Sequence, residues 1–543
     1  MSAVSAQAGE IRPTSSKSVS ALAGLLLLLL SVAIAYSPVF KAGFLENWDD
    51  GEYVKYNGLL MNADGLRKIW LEPLATPQYY PLVHTTYWLE YRAWGIKPAG
   101  YHAVNVALHA TNAVLLWSVL AALGLPGAWL AAAIFALHPV HVESVAWITE
   151  RKNVLSGFFY LASLRCLVSF LGLRAPASTP DGQPGSSPPR WGLYAAALAL
   201  FISALLSKTV TVTLPVAVLL LVWWKRKRYV PGSVVSMIPF FAVGATMALA
   251  TAILERAHVG AQGPEWDFSP VDRVLIAGRA FWFYLSKIFA PLDLTFTYPR
   301  WRIDAGQWRQ YLFPAALVLL AVVLWFRSRR GERGGLAGLL LFIVTLAPAL
   351  GFVNFYPMRY SFVADHFQYL ASVIPISLAA AFYATRVAPG AAALFSPAFA
   401  FPQGPFRTTV VLAVPTLALV TLGMLTWRQS SLYRSEETLM RQNIEKNPES
   451  WVNHGVLALI FFRQGRIDEA LQHSETAVRI LPSDPSNLNL HGVLLKQKGR
   501  YAEAMWHFYQ ALRYDPDNAQ AQSNILLTQR LMGGQPRNPQ GGR

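Results

Sequence analysis

The stretch ALAGLLLLLLSVAIAYSPVFKAGFLENWDDGEY, Ala21–Tyr53, decides how the rest of the chain is read. Its apolar part, Ala21–Phe40, is long enough to cross a hydrocarbon core of ~30 Å as a helix, and the chain turns acidic directly afterwards. A mildly basic tail with Arg12 and Lys17 precedes it. The run is too long for a removable signal peptide, and its exit has no small-residue cleavage site, so it reads as a retained signal anchor. Similar runs follow at 103–122, 127–138, 154–172, 191–206, 209–224, 233–254, 311–327, 335–353, 370–387 and 407–427, about eleven with the first. The chain is 54% hydrophobic and 14% charged, whereas an ordinary soluble domain carries roughly 25% charged residues. An all-α, polytopic membrane helix bundle is the expected fold class.

An odd number of spans puts the two termini on opposite sides. The 46 Lys and Arg against 30 Asp and Glu leave +16, and location gives that charge its meaning. Lys225, Arg226, Lys227 and Arg228 form one short-loop cluster, and Arg327, Arg329, Arg330 and Arg333 another. The positive-inside rule makes both cytoplasmic, along with the tail 1–20 and the Pro/Ser/Gly-rich loop 175–189. The segment 273–290 is apolar enough to span but would invert everything after it. It is expected to be interfacial or re-entrant, with Arg273, Arg279 and Lys287 on its polar side. Basic residues placed this way give no support for a nucleic-acid partner. One cysteine, Cys166, excludes a disulfide framework and a Cys-based zinc cluster. Without a P-loop, GxGxxG, GxSxG or HExxH pattern, nucleotide hydrolysis, soluble dinucleotide chemistry and zinc proteolysis have no support.

From about Arg428 the chain becomes charged, and a repeat of 34 residues appears, marked by Pro448, Pro482 and Pro516. Gly465-Arg466 recurs as Gly499-Arg500, Glu469-Ala470 as Glu503-Ala504, His473 as His507 and Ala477 as Ala511. This period is the signature of tetratricopeptide repeats. The expected domains are a cytoplasmic tail (1–20), a transmembrane domain (21–427) with a long first outer loop (41–102), and a helical region (428–532). The last holds a linker, repeats 449–482 and 483–516 and a capping helix, followed by a disordered tail (533–543). So short an α-solenoid is expected to dock on the membrane domain, because about three units are usually needed for stability.

The polar residues gather on one side of this topology. Asp49 and Asp50, adjacent at a membrane exit, cannot both face one way. One can serve as a base at the bilayer surface while its neighbour caps or coordinates, or both simply cap the loop helix that follows. The same face collects Tyr79, Tyr80 and His84, then Tyr101, His102, Asn105 and His109, the last three on one helical face. His138, His141 and Glu143 follow, then Glu150, Arg151, Lys152 and Asn153. Two imidazoles and a carboxylate invite a divalent metal. Pro139 breaks the helix between them, so a contact to phosphate or sugar is the preferred reading of His138, His141 and Glu143. Lys208, Arg151, Arg359 and His366, with Asp365 beside the last, complete the set as candidates to hold an anionic group.

WDDGEY after the first span, YYPL and GYHAVNVALH around the second, FALHPVHVESVAW, LSKT, ADHFQYLAS and the run TWRQSSLYRSEETLMRQNIEKNP occur in an order and topology that resemble one family. It is the transmembrane and tetratricopeptide-repeat (TMTC-like) O-mannosyltransferases, in the GT-C class of membrane glycosyltransferases. The resemblance implies transfer of a mannose or similar hexose from a polyprenyl-phosphate carrier to an acceptor hydroxyl on the outer face, with Asp49 or Asp50 as base. The lipid-linked sugar donor is the expected small-molecule partner, with a divalent metal as the less favoured addition. Lys208, Arg359 and His366 are first choices for the donor phosphate, and His84 and Arg151 second. The expected partners are the bilayer, the polyprenyl-phosphate sugar and an acceptor polypeptide on the repeats. The absence of an Asn-x-Ser/Thr sequon and the short loops fit a bacterial inner membrane. Transfer to a glycan or lipid, a non-enzymatic scaffold and a transporter are the alternatives.

Overall fold

The structure, a computed structural model, describes residues 15–173, 190–227, 231–256, 263–387 and 405–533. The loop 175–189, Arg228 and the two outer tails, 1–14 and 534–543, lie outside the described residues. All regular structure among them is helical. The first helix is α1 (Ser15–Ala35), and the following loop holds α2 (Ala63–Leu71) and α3 (Pro81–Trp94). Then come α4 (Pro98–Ala122), α5 (Ala128–Leu137), α6 (Val142–Ala146), α7 (Arg151–Phe170), α8 (Trp191–Leu205), α9 (Leu214–Arg226) and α10 (Pro231–Leu254). The bundle ends with α11 (Pro270–Phe289), α12 (Leu312–Arg329), α13 (Arg333–Leu346), α14 (Val373–Phe382) and α15 (Pro405–Ser431).

Each of the eleven apolar runs coincides with a helix, but their lengths are unequal. Five segments among the described residues are long and apolar enough to cross a membrane, or up to six if α5 and the bent segment after it, at 55°, count as one. The chain is a multi-pass membrane protein. Local chemistry breaks several of the apolar runs. Pro38 cannot donate to the helical ladder, and α1 gives way to a 3-10 turn over Ser37–Lys41. Pro139 does the same after α5, and the Ser207-Lys208 turn separates α8 from α9. α11 falls outside the set of crossing helices. It buries Leu275, Ile276, Ala280, Phe281 and Tyr284 on one face, while Arg273 donates to Gly351 O (2.9 Å) and Arg279 lies 4.4 Å from the Trp301 ring centre.

α5 lies at the centre of the packing. Ala131, Ala132, Ala133 and Ala136 are buried, and small side chains let α4 and α14 approach it closely. A charged residue pins the neighbouring helices. Arg151, at the start of α7, is completely buried. Its Nε donates to Asn105 Oδ1, its NH1 to Thr86 Oγ1 and Glu90 Oε1, and its NH2 to Glu90 Oε2 (3.1 Å) and Tyr101 O (2.9 Å). All five N–H donors are used, so α3, α4 and α7 meet at one guanidinium.

Beyond α15 the chain forms α16 (Glu436–Lys446), α17 (Trp451–Arg463), α18 (Ile467–Ile480), α19 (Pro485–Gln497), α20 (Tyr501–Tyr514) and α21 (Ala519–Gly533). α17 packs on α18 and α19 on α20. The turns between them pass through Gly465 (φ 76°) and Gly499 (φ 74°), a backbone conformation that costs glycine little. Buried Ala470 and Ala504 stand at matching positions, as do the Arg466–Glu469 and Arg500–Glu503 ion pairs. This region is fastened to the bundle. Lys446 Nζ donates to Leu294 O (2.7 Å), Thr297 N–H to Asn443 Oδ1 (3.0 Å), Asn47 Nδ2 to Glu436 Oε2 (2.7 Å) and Arg359 NH2 to Asp484 Oδ2 (3.2 Å).

Removing one partner of a buried ion pair strands the other charge and typically costs about 3–5 kcal/mol. Arg151→Met is therefore expected to lower the Tm of the detergent-solubilised protein markedly, and Arg151→Met with Glu90→Leu to recover most of the loss. A double variant no better than the single one would show that the pairing is not what holds these helices.

Candidate functional site

The acidic pair after α1 is divided by its surroundings. Asp50 is 1% exposed; Leu45 N–H donates to its Oδ2 (2.9 Å) and Thr149 N–H to its Oδ1 (3.0 Å). Its carboxylate makes no cap bond to the short helix after it. Instead it latches the first loop to the turn before α7. Burial pushes its pKa up to about 7 against the pull of those N–H donors. The side chain of Asp49 is 36% exposed, and its Oδ2 lies 3.1 Å from Lys152 Nζ. One aspartate is structural, and its neighbour faces open space.

Asp49 starts a chain of charges. Lys152 Nζ also lies 3.2 Å from Glu150 Oε1. Glu150 Oε2 accepts from Asn153 Nδ2 (2.5 Å) and from Lys208 Nζ (3.3 Å), and Lys208 donates to Asn153 Oδ1 at 2.7 Å. His366 lies 3.8 Å from Glu150 through Nε2 and 3.0 Å from Glu143 through Nδ1, and its backbone N–H donates to Glu143 Oε2 (3.0 Å). Burial draws the Lys208 ammonium below its ordinary range. At the far side Asp365 accepts from Tyr298 OH (3.0 Å), and burial together with the charge of Glu143 pushes its carboxyl well above the usual range. Trp48 and Trp147 pack against Phe296 beside this row, each with ring centres 4.9 Å apart.

The structure thus brings Asp49, Lys208, His366 and Glu143 together, with Asp50 and Asp365 at the margins. The remaining expected site residues hold other positions. Arg151 is the helix clamp described above, with no N–H left for a phosphate. Arg359 is shared between Glu265 (3.2 Å), Asp484 (3.2 Å) and Tyr356 OH (2.9 Å) and fastens the C-terminal helices. His84 is buried against Tyr53, ring centres 5.0 Å apart, and burial pulls its pKa down to about 3, so it is neutral and offers no cation. His102 is buried in α4. His138 Nε2 meets Ile288 O (2.8 Å), and His141 meets Phe135 O (2.7 Å) and Ser372 Oγ (2.8 Å). These two rings fold the broken helix instead of converging on Glu143. No group of three or more potential ligands that could hold a metal ion occurs among the described residues.

Three members of the row, Glu150, Lys152 and Asn153, stand in the polar cluster that the sequence puts on this face, but the sequence assigned none of them a role. Their signal was the tetrad ERKN at the head of an apolar run, where charge is costly unless paired.

Comparison with known proteins adds the family. The chain is 27% identical to the protein O-mannosyl-transferase tmtc2 of Xenopus laevis over 320 residues, 52% of this chain and 35% of the relative. It is 31% identical to Tmtc1 of Drosophila melanogaster over 216 residues, 37% of this chain and 23% of the relative. It is 33% identical to TMTC2 of Homo sapiens over 129 residues, 23% of this chain and 14% of the relative. The chain is a relative of the TMTC protein O-mannosyl-transferases. It spans about a third or less of the length of these TMTC relatives. No protein-family model matches it.

The folded-state pKa of Asp50, about 7, stands above its ordinary 3.8. Between those values the folded chain keeps a proton that the unfolded chain has released, so stability falls as pH rises from about 4 to about 7. Glu436, also pushed up to about 7 by burial, adds to the same window. Asp50→Asn is expected to flatten the fall in Tm measured from about pH 5 to pH 7.5 and to lower Tm at every pH, since an amide oxygen replaces only one of two acceptors. A slope identical to that of the native chain would refute the burial of a protonated Asp50.

Proposed function

We propose that this chain is a GT-C membrane glycosyltransferase that moves a mannose or similar hexose from a polyprenyl-phosphate carrier to the hydroxyl of a Ser or Thr in an exported protein. The likeness to protein O-mannosyl-transferases supports the sugar and the protein acceptor. The observation that carries the reading is the division of labour in the acidic pair: Asp49 is the carboxylate of the row that reaches open space, and Lys152 holds it in place at 3.1 Å.

The chemistry requires little more. As the acceptor oxygen attacks the anomeric carbon, its proton passes to Asp49, and the bond from that carbon to the phosphate oxygen breaks. The leaving polyprenyl phosphate departs as an anion and needs cations, not a proton. Lys208 and His366 are assigned to that phosphate. In this reading Glu150 holds Lys208 and Lys152 apart at fixed distances until the donor enters. A glycosidase would set a second carboxylic acid across the sugar; the nearby carboxylates Glu150 and Glu143 are tied to Lys152, Lys208 and His366.

The membrane arrangement completes the proposal. Eleven runs cross or enter the bilayer, with the N-terminus and the basic clusters cytoplasmic and the Asp49 row outside, in a bacterial inner membrane. The C-terminal helices are two tetratricopeptide repeats fastened beside the row by Arg359 and Asn47, where they receive an extended acceptor segment.

The test is sugar transfer by the purified full chain in detergent, from radiolabelled polyprenyl-phosphate mannose to membrane extract. Loss of a general base typically costs about 10²–10⁴-fold. Asp49→Asn is expected to lose rate on that scale at unchanged Tm, whereas Asp50→Asn keeps transfer at reduced Tm. Lys208→Gln is expected to raise KM for the lipid donor more than it lowers kcat. Undiminished transfer by Asp49→Asn would remove the base from the scheme.

A further inference from the structure

At the end of the bundle opposite the Asp49 row lies an apolar cavity of about 320 Å³ between α4, α7, α9, α13 and α14. Leu116, Leu120, Leu161, Leu164, Leu221 and Leu341 line it, and Trp224 and Lys225 stand where α9 ends. Its volume falls within the roughly 300–1,000 Å³ of ordinary ligand sites. Along α13 it runs from Gly334 to Thr345, a helical rise of about 16 Å, half of a ~30 Å hydrocarbon core. That length matches the depth of one leaflet.

Charge at the same end identifies what enters. Lys225 donates to Leu123 O, Arg226 to Leu171 O and Arg333 to Lys227 O (2.5 Å), and none of the three is ion-paired with a carboxylate among the described residues. Lys225 Nζ also lies 4.4 Å from the Trp224 ring centre. Backbone carbonyls orient these cations without neutralising them, which leaves their charge for an anion at the membrane surface. We propose that the cavity holds one acyl chain of an anionic phospholipid from the leaflet at this end, with its phosphate against Lys225, Arg226 and Arg333. The lipid fills the space enclosed by α4, α7, α9, α13 and α14 and acts as a structural element of the bundle, separate from the transfer site.

Native mass spectrometry of the delipidated full chain tests this directly. It is offered phosphatidylglycerol, phosphatidylcholine with the same acyl chains, and polyprenyl phosphate. One phosphatidylglycerol per chain is expected, at least tenfold preferred over phosphatidylcholine. Ala381→Trp, which fills the cavity from α14, should abolish that bound lipid. Lys225→Gln with Arg226→Gln and Arg333→Gln should keep one phospholipid but erase the preference, which tests the assignment even if the tryptophan variant fails to fold. Equal binding of both phospholipids by the native chain, or lipid retention unchanged in a folded Ala381→Trp variant, would overturn the proposal. Displacement of phosphatidylglycerol by polyprenyl phosphate would overturn it too, giving the cavity to the donor's tail.

Discussion

A guanidinium with no water around it must place every N–H on a protein oxygen, and Arg151 does so by drawing α3, α4 and α7 together. The head of α7, at the polar end of the bundle, is fixed by that knot. The turn just before Arg151 presents the Thr149 N–H that Asp50 accepts, which ties the first loop to the head of α7. The residues just after it, Lys152 and Asn153, are placed one helical step away on the same helix. They reach Asp49 on one side and Lys208 on the other. One buried cation thus sets the geometry of a row of exchangeable ones.

The row itself follows the same constraint with a different outcome. Lys152, Lys208 and His366 alternate with Asp49, Glu150 and Glu143 over distances of 3.0 to 3.8 Å. Alternation lets several charges sit in a poorly hydrated place, because each has an opposite neighbour. Asp49 stands at the exposed terminus of the row, with a single cation beside it and open space in front. In the proposed reaction a leaving phosphate would compete with Glu150 for cations already in position, so little reorganisation would be needed as its charge develops.

Much of the fold was legible in the sequence because its signals are local. Apolar runs longer than about 17 residues, a 34-residue repeat and paired glycines at Gly465 and Gly499 each specify an element without reference to the rest of the chain. The lengths of the helices were less legible, because Pro38, Pro139 and the Ser207-Lys208 turn cut apolar runs that hydropathy reads as continuous. The candidate site was legible only in part. Asp49, Lys208, His366 and Glu143 do converge, but a cation in a sequence carries no mark of its partner. Arg151 is taken up by Glu90, 61 positions away, and Arg359 by Asp484, 125 positions away. The division between Asp49 and Asp50 depends on Leu45 and Thr149 backbone groups, which composition cannot show.

In the proposed reaction one accessible carboxylate, Asp49, acts as the base for direct displacement at the anomeric carbon. The anomeric configuration of the transferred sugar, read by NMR from its one-bond C–H coupling and compared with that of the polyprenyl-phosphate donor, tests this most directly. A single displacement assisted by Asp49 predicts inversion. Retention of configuration would require a covalent intermediate on a second group and would contradict the account.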